Sequence, residues 1–357
     1  MSFNDWSDSI DITIQASQVD ADLTDFPVYV DLADLGSSFF SVVKSDGGDI
    51  RVSKSDGTTE VPIQIVDIDT GAETGQMHFK ADGTLSSSSD TTFKIYFGNA
   101  AANLYSRTDT YGSDNVWNSN YEAVYHLEEE PTSATAIKDS TSNAYDSTSI
   151  DGSMTAADSV SAQIGSGIDT DGSNDTIDLP NIPPTTSITC EAWVQNNGTQ
   201  GLWFAHDNVG AERKWYMQHA AGWFFVNVFN DSNQNKNYYY PSVTIGDMNH
   251  YAFTFTSNTL KMYVNGQNIT GSVTKVFDNT VNTLHNVTSN TTIGATAVNR
   301  FPAGVIIDEA RISNNVRSDD WISTQYNNQS DTTSFYSVAG VGPSPEPDNA
   351  ILFGFVF

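Results

Sequence analysis

Residues 250–269 read HYAFTFTSNTLKMYVNGQNI. Tyr251, Phe253 and Phe255 alternate with Ala252, Thr254 and Thr256, the period of two that marks a strand with one buried face. Leu260, Met262 and Val264 resume the pattern after Ser257-Asn258, until Asn265-Gly266 interrupts it. That pair favours a type I′ turn, whose two central residues take positive φ, so a third strand is expected at once. The stretch predicts an antiparallel meander.

The alternation extends to both sides. Apolar–polar runs at 10–14, 26–32, 61–65 and 93–97 are separated by turn-forming Asp46-Gly47-Gly48 and Asp56-Gly57. They predict about six short strands and a small β-sandwich, with a hairpin at Asp56-Gly57 joining 50–52 to 61–65. Residues 100–120 are polar and irregular, which places a domain boundary near 108. Strand patterns then recur at 121–127, 187–194, 201–206, 215–219, 223–229, 291–294 and 305–312, and around a turn at 171–175 that reads as a hairpin. Helical spacing is confined to 319–326. The expectation is an all-β protein: an N-terminal small β-sandwich (1–108), a larger β-sandwich (109–340), and a Pro-rich linker with a short C-terminal apolar strand (341–357).

Composition narrows the partners. Fifteen Lys and Arg stand against 44 Asp and Glu, a formal charge of −29. Such a chain repels phosphate backbones and anionic membrane surfaces, so neither nucleic acid nor a membrane is expected as a partner. The acids read either as a soluble surface or, in part, as oxygen ligands for Ca²⁺. Cys190 is the single cysteine, which excludes an intrachain disulfide, and its apolar surroundings predict a buried thiol. No run of about 18 apolar residues is present, and the first residues lack the basic-then-apolar pattern of a secretion signal.

Two resemblances follow from particular residues. Phe26-Pro27-Val28, Asp49-Ile50-Arg51 and Tyr96-Phe97-Gly98-Asn99 resemble a bacterial and phage domain of unknown function that commonly precedes laminin-G-like modules. Asp171-Gly172-Ser173-Asn174-Asp175, residues 188–194 and 250–266, Ile293-Gly294, and 307–312 with Trp321 resemble the laminin-G-like, concanavalin-A-like (pentraxin-like) jelly roll. Thr170 and Thr176 depart from it, standing where aromatic residues are usual. The second resemblance implies a jelly-roll β-sandwich and one structural Ca²⁺, carried over to Asp139 and Asp308. The alternative for Asp308 is an acceptor of backbone hydrogen bonds.

Catalytic patterns are missing from the sequence. The Glu-x-Asp-x-x-Glu run that places paired acids on one strand face of glucanases does not occur, and Glu128-Glu129-Glu130 are adjacent and so cannot all share a face, which reads as a solvated strand end. Nucleophile-elbow, phosphate-loop and His-x-x-x-His patterns are also missing. A non-enzymatic role is therefore expected. Sugar recognition stacks aromatic rings on pyranose faces beside amide hydrogen bonds. Trp215, Tyr216, Trp223, Asn227, Tyr238, Tyr239 and Tyr240, with Asn233 and Asn235 nearby, form the richest region for it, although alternation must turn some of these rings into the core. The apolar run 349–357, with Ile351, Leu352, Phe353, Phe355 and Phe357, reads as a strand folded back on its own chain or donated to a partner subunit.

The combined expectation is a glycan-binding virion component (fibre, spike or decoration protein) that oligomerises at a virion surface. The alternatives are a secreted, extracellular glycan-active enzyme or its accessory module, and a purely architectural capsid or surface-layer protein.

Overall fold

A computed structural model describes residues 3–151, 153–183, 186–208, 212–220, 222–295 and 301–343. Strand outweighs helix four to one (44% against 11%), so the chain is all-β as its pattern predicts. It divides into two compact units. The first takes the chain up to Gln18, Asp22–Val116 and the segment from Thr332; the second takes Val19–Ala21 and Trp117–Asp331.

In the first unit, Asp8–Ile14 lies at the middle of one antiparallel sheet, with Thr91–Phe97, Arg51–Lys54 and Glu60–Val61 to one side and Tyr336–Val338 to the other. The other sheet is Leu23–Asp31, Thr74–Leu85 and Ile63–Asp69. Their facing apolar residues close a sandwich core in which Phe79 of one sheet packs on Phe93 of the other, centroids 4.7 Å apart. The Asp56-Gly57 hairpin forms: Gly57 takes φ +69°, and the Asp56 carboxylate accepts from Thr58 N, Thr59 N and Thr59 Oγ1. The predicted run 61–65 is split, however. Pro62, which has no N–H for a ladder, separates Glu60–Val61 in one sheet from Ile63–Asp69 in the other. Thr332–Pro343 lies with this unit: Val338 and Pro343 pair with Ile12 and Asp8. The apolar run 349–357, with Ile351, Leu352, Phe353, Phe355 and Phe357, lies outside the described residues.

The second unit is two eight-stranded antiparallel sheets face to face. One runs Ser159–Ser161, Ser166–Asp171, Gly304–Ser313, Ser187–Asn196, Met248–Thr256, Thr259–Val264 and Gln267–Asn268, with Tyr121–Tyr125 paired to the far half of Gly304–Ser313. The predicted meander is its last three strands. Ser257-Asn258 and Asn265-Gly266 both turn with positive φ at each residue, as type I′ hairpins require. The other sheet runs Thr274–Asp278, Asn235–Tyr240, Trp223–Phe229, Arg213–Ala220, Gly201–Asp207, Thr291–Ile293, Ile177–Leu179 and Ser149–Ile150. Tyr251, Phe253 and Phe255 from the first sheet meet Trp215, Met217, Phe224 and Val226 from the second, with Phe224 and Tyr251 centroids 4.7 Å apart.

The turn at 171–175 is not a hairpin. Ser166–Asp171 and Ile177–Leu179 belong to opposite sheets, so the turn carries the chain across the sandwich. Asp171 accepts from Ser173 N and Asn174 N while its own N–H reaches Asp175, a locally hydrogen-bonded corner that either connection would show in sequence. Thr170 is buried, and its hydroxyl donates to Ala303 O at 2.6 Å, a polar tie in place of an aromatic packing contact.

The helical spacing at 319–326 becomes the helix Asp319–Ser330, capped by the Ser318 hydroxyl on Trp321 N with Asp319 and Asp320 in the first turn. It lies on the outer face of the meander sheet. Ile322 packs on Ala252 and Tyr263, Tyr326 stacks on Trp193, and Gln329 accepts from Trp193 Nε1. One sandwich face is thereby covered.

Candidate functional site

The opposite sheet presents its outer face to solvent, and the period of two decides which side chains reach it. Trp215, Met217 and His219 point inward and pair across to Val228, Val226 and Phe224; Tyr216, Gln218 and Ala220 point outward and pair with Asn227, Phe225 and Trp223. On the next strand Tyr239, Asn237 and Asn235 continue the outer face opposite Phe225, Asn227 and Phe229.

The predicted sugar-binding residues therefore separate. Trp223 and Tyr239 come together on the outer face; Asn227 lies on the same side but is buried, 2% exposed, with its amide bonded to Tyr216 and Asn235. Trp215 is 1% exposed and packs against Phe204 and Phe253, so it is a core residue and its ring has no free side. Tyr238 is likewise in the core, with its hydroxyl on Asp278, and Tyr240 shares that inward side opposite Phe224. Alternation along one strand could not let the three consecutive tyrosines share a face.

Trp223 is 42% exposed and stacks on Tyr239, with Phe225 inclined against both at centroid distances of 6.1 and 5.1 Å. Beside this aromatic platform runs a line of amides. Asn235 Nδ2 donates to Asn227 Oδ1 at 3.0 Å, and Asn227 Nδ2 donates to Tyr216 Oη at 2.8 Å. Burial pushes the Tyr216 phenol above its ordinary value, so it holds its proton at neutral pH.

Next to Tyr216 the face sinks into an open depression of about 130 Å³, lined by Gln200, Leu202, Asp207, Arg213, Tyr216, Gln218 and Phe301. Asp207 is buried, and its Oδ2 lies 3.4 Å from Arg213 Nε, whose guanidinium also sits over the Phe229 ring at 5.3 Å. Phe301 is 56% exposed at the rim. Apart from Tyr216, these residues were missed in the sequence. The signal available was the alternation about Trp215 and Met217, which assigns Tyr216 and Gln218 to the other face, together with Phe301, a lone aromatic between Arg300 and Pro302.

Asp139 and Asp308, the predicted metal ligands, are both fully buried. Asp139 Oδ1 accepts from Val124 N and Thr141 N, and Oδ2 from Thr141 Oγ1 and Tyr145 N, all at 2.8–3.0 Å. Four donors use the lone pairs that a cation would need, so Asp139 does not fit a Ca²⁺ ligand; it ties its own loop together. Asp308 Oδ2 accepts from Ile164 N, and burial pushes its carboxyl well above the carboxylate range. Cys190 is buried in the core, and burial raises its thiol well above the ordinary value, which removes it from nucleophilic chemistry. His126 Nδ1 meets Glu309 Oε1 at 2.6 Å; His250 is packed on Trp193 and kept neutral by burial, which pushes it down to about 3.

Residues 171–323 match the sequence model of the concanavalin A-like lectin/glucanases superfamily, and the jelly-roll sandwich they form agrees with it. Among curated proteins no sequence matches the chain. Similar solved structures include the receptor-binding domain of botulinum neurotoxin C/D mosaic serotype, at 13% identity and a TM-score of 0.44, covering 60% of this chain and 52% of that one. Another is the binding domain of Paraclostridial Mosquitocidal Protein 1, at 14% identity and a TM-score of 0.43, covering 58% of this chain and 52% of that one. The chain thus spans about half the length of these domains.

Proposed function

We propose, from the premise that residues 171–323 are a concanavalin A-like jelly roll, that the second unit is a non-enzymatic recognition module binding glycans on its open sheet. The observation that carries this reading is the outer face itself: a platform of Trp223, Phe225 and Tyr239 beside the Asn235–Asn227–Tyr216 hydrogen-bonded line. Rings that stack on the apolar side of a pyranose, flanked by amides that meet its hydroxyls, are the common physics of sugar binding. The family's range includes both lectins and glucanases, so the carboxylates weigh in the choice. Among the described residues Asp207 is the single acid lining the depression, whereas glycoside hydrolysis uses two.

The test is a glycan array and titration calorimetry on the full chain, with Trp223→Ala and Tyr239→Ala beside it. Binding weakened by about tenfold or more in either variant supports the reading. A blank array, or reducing-sugar release from polysaccharides, overturns it.

A place for the protein in a virion fibre, spike or decoration is the further step of the same proposal. Its support is the apolar run at 349–357 and the resemblance of the first unit's Phe26-Pro27-Val28 and Tyr96-Phe97-Gly98-Asn99 segments to a bacterial and phage domain of unknown function. Truncation after Pro343 is expected to shift the protein to a smaller species in sedimentation. An unchanged mass would count against assembly through this run.

A further inference from the structure

The depression beside Tyr216 has a chemistry of its own, distinct from the flat aromatic platform. We infer that it is a subsite for one uncharged hexopyranose unit, held between Phe301 and Leu202 and hydrogen-bonded by Arg213, Asp207, Tyr216 and Gln218. This assignment rests on the recognition reading above and names the ligand class at that same face.

Charge decides the class. Arg213 alone would invite a carboxylated or sulfated sugar. Here Asp207 stands 3.4 Å from the guanidinium in the same depression. An anion entering to meet Arg213 would meet Asp207 at similar range, with repulsion of the same size as the attraction. The chain's formal charge of −29 adds to the penalty. A neutral sugar hydroxyl donates and accepts, so vicinal hydroxyls satisfy Asp207 and Arg213 together without separating the pair.

The remaining groups complete such a site. Tyr216 accepts from Asn227, which leaves its phenolic hydrogen to donate, and Gln218 makes no side-chain hydrogen bond among the described residues. Phe301, exposed at the rim, and Leu202 give the apolar walls on which a ring's C–H face can lie. Gln218 pairs directly with Phe225, so the depression continues into the platform. An oligosaccharide can place one unit in the depression and its neighbour over Trp223, Phe225 and Tyr239.

The experiment titrates the full chain with soluble neutral oligosaccharides (gluco-, manno-, galacto- and xylo-oligomers) and with acidic ones (oligogalacturonate and sialyl-lactose). Phe301→Ala and Gln218→Ala serve as the variants, because both side chains reach solvent and neither anchors the core. The expected result is binding of a neutral hexose oligomer, weakened about tenfold by each variant. Its affinity should change by less than about twofold between 50 and 500 mM salt, since no net charge is exchanged. Tighter binding of an acidic oligosaccharide, lost steeply with salt, overturns the assignment. So does neutral binding that Trp223→Ala removes but both depression variants leave intact, and in that case the recognition reading itself survives. A panel with no binder overturns both.

Discussion

The rings of Trp223 and Tyr239 lie 14° from parallel with centroids 4.8 Å apart, although they come from separate strands. Tyr239 pairs opposite Phe225, two residues from Trp223, so the contact is a diagonal one across the ladder. Two large rings on the solvent side of a sheet gain little for the fold compared with burial in its core. Trp223→Ala is therefore expected to cost no more than about 1 kcal/mol of stability, while reducing glycan affinity about tenfold. Chemical denaturation and calorimetry on the same preparation separate the two effects.

Trp215 provides the contrast on the neighbouring strand. Its ring meets Phe204 edge-on at 5.1 Å and Phe253 at 5.8 Å within the sandwich core. Trp215→Ala leaves a cavity where two sheets meet and is expected to cost roughly 3–5 kcal/mol. The matching outcome is a large drop in the denaturation midpoint. A variant as stable as Trp223→Ala would show that Trp215 is not a core residue.

The contrast also shows what could be read from sequence. Period-two alternation at 250–266 gave the meander in register, and Asn265-Gly266 marked its turn, because those signals are local. The same alternation split Trp215 from Tyr216, but it cannot say which face of a strand meets the other sheet. That depends on partners far along the chain, such as Phe253 for Trp215 and Asn227 for Tyr216. The crossover at 171–175 was illegible for a related reason: a tight Asp-rich turn has the same composition whether it rejoins its own sheet or crosses to the facing one. The depression needed Phe301 brought to Asp207 and Arg213, which are paired at the ends of two neighbouring strands some ninety residues earlier, a juxtaposition with no spacing signature.

Lys214 is fully buried, with Nζ 3.4 Å from Ile182 O and 3.5 Å from His206 Nδ1. Burial lowers its pKa to about 7. In the unfolded chain a lysine titrates near 10.4, so between these values the unfolded state holds a proton the folded state lacks. Stability then rises with pH across that window, by at most about 1.4 kcal/mol per pH unit, and the gain is lost as pH falls toward 7. Lys214→Met removes the titration while keeping the volume. The expected result is a stability difference, wild type minus variant, that grows from pH 7 to pH 9 in denaturation series. A difference independent of pH would place the Lys214 proton elsewhere.

Asp139 carries the calcium question. Its carboxylate gathers Val124 N, Thr141 N, Thr141 Oγ1 and Tyr145 N, and so joins the strand Tyr121–Tyr125 to the loop that follows it. Replacing one acceptor oxygen by an amide turns a donor against donors, so Asp139→Asn is expected to cost roughly 2–4 kcal/mol. A cation bound to the native state would instead raise the melting temperature in proportion to its occupancy. With the lone pairs of Asp139 already taken, 5 mM Ca²⁺ or a chelator should move the melting midpoint of the wild type by less than about 1 °C. A rise of several degrees with Ca²⁺, abolished in Asp308→Asn, would mean that the cation displaces some of these donors and that Asp139 and Asp308 bind metal after all.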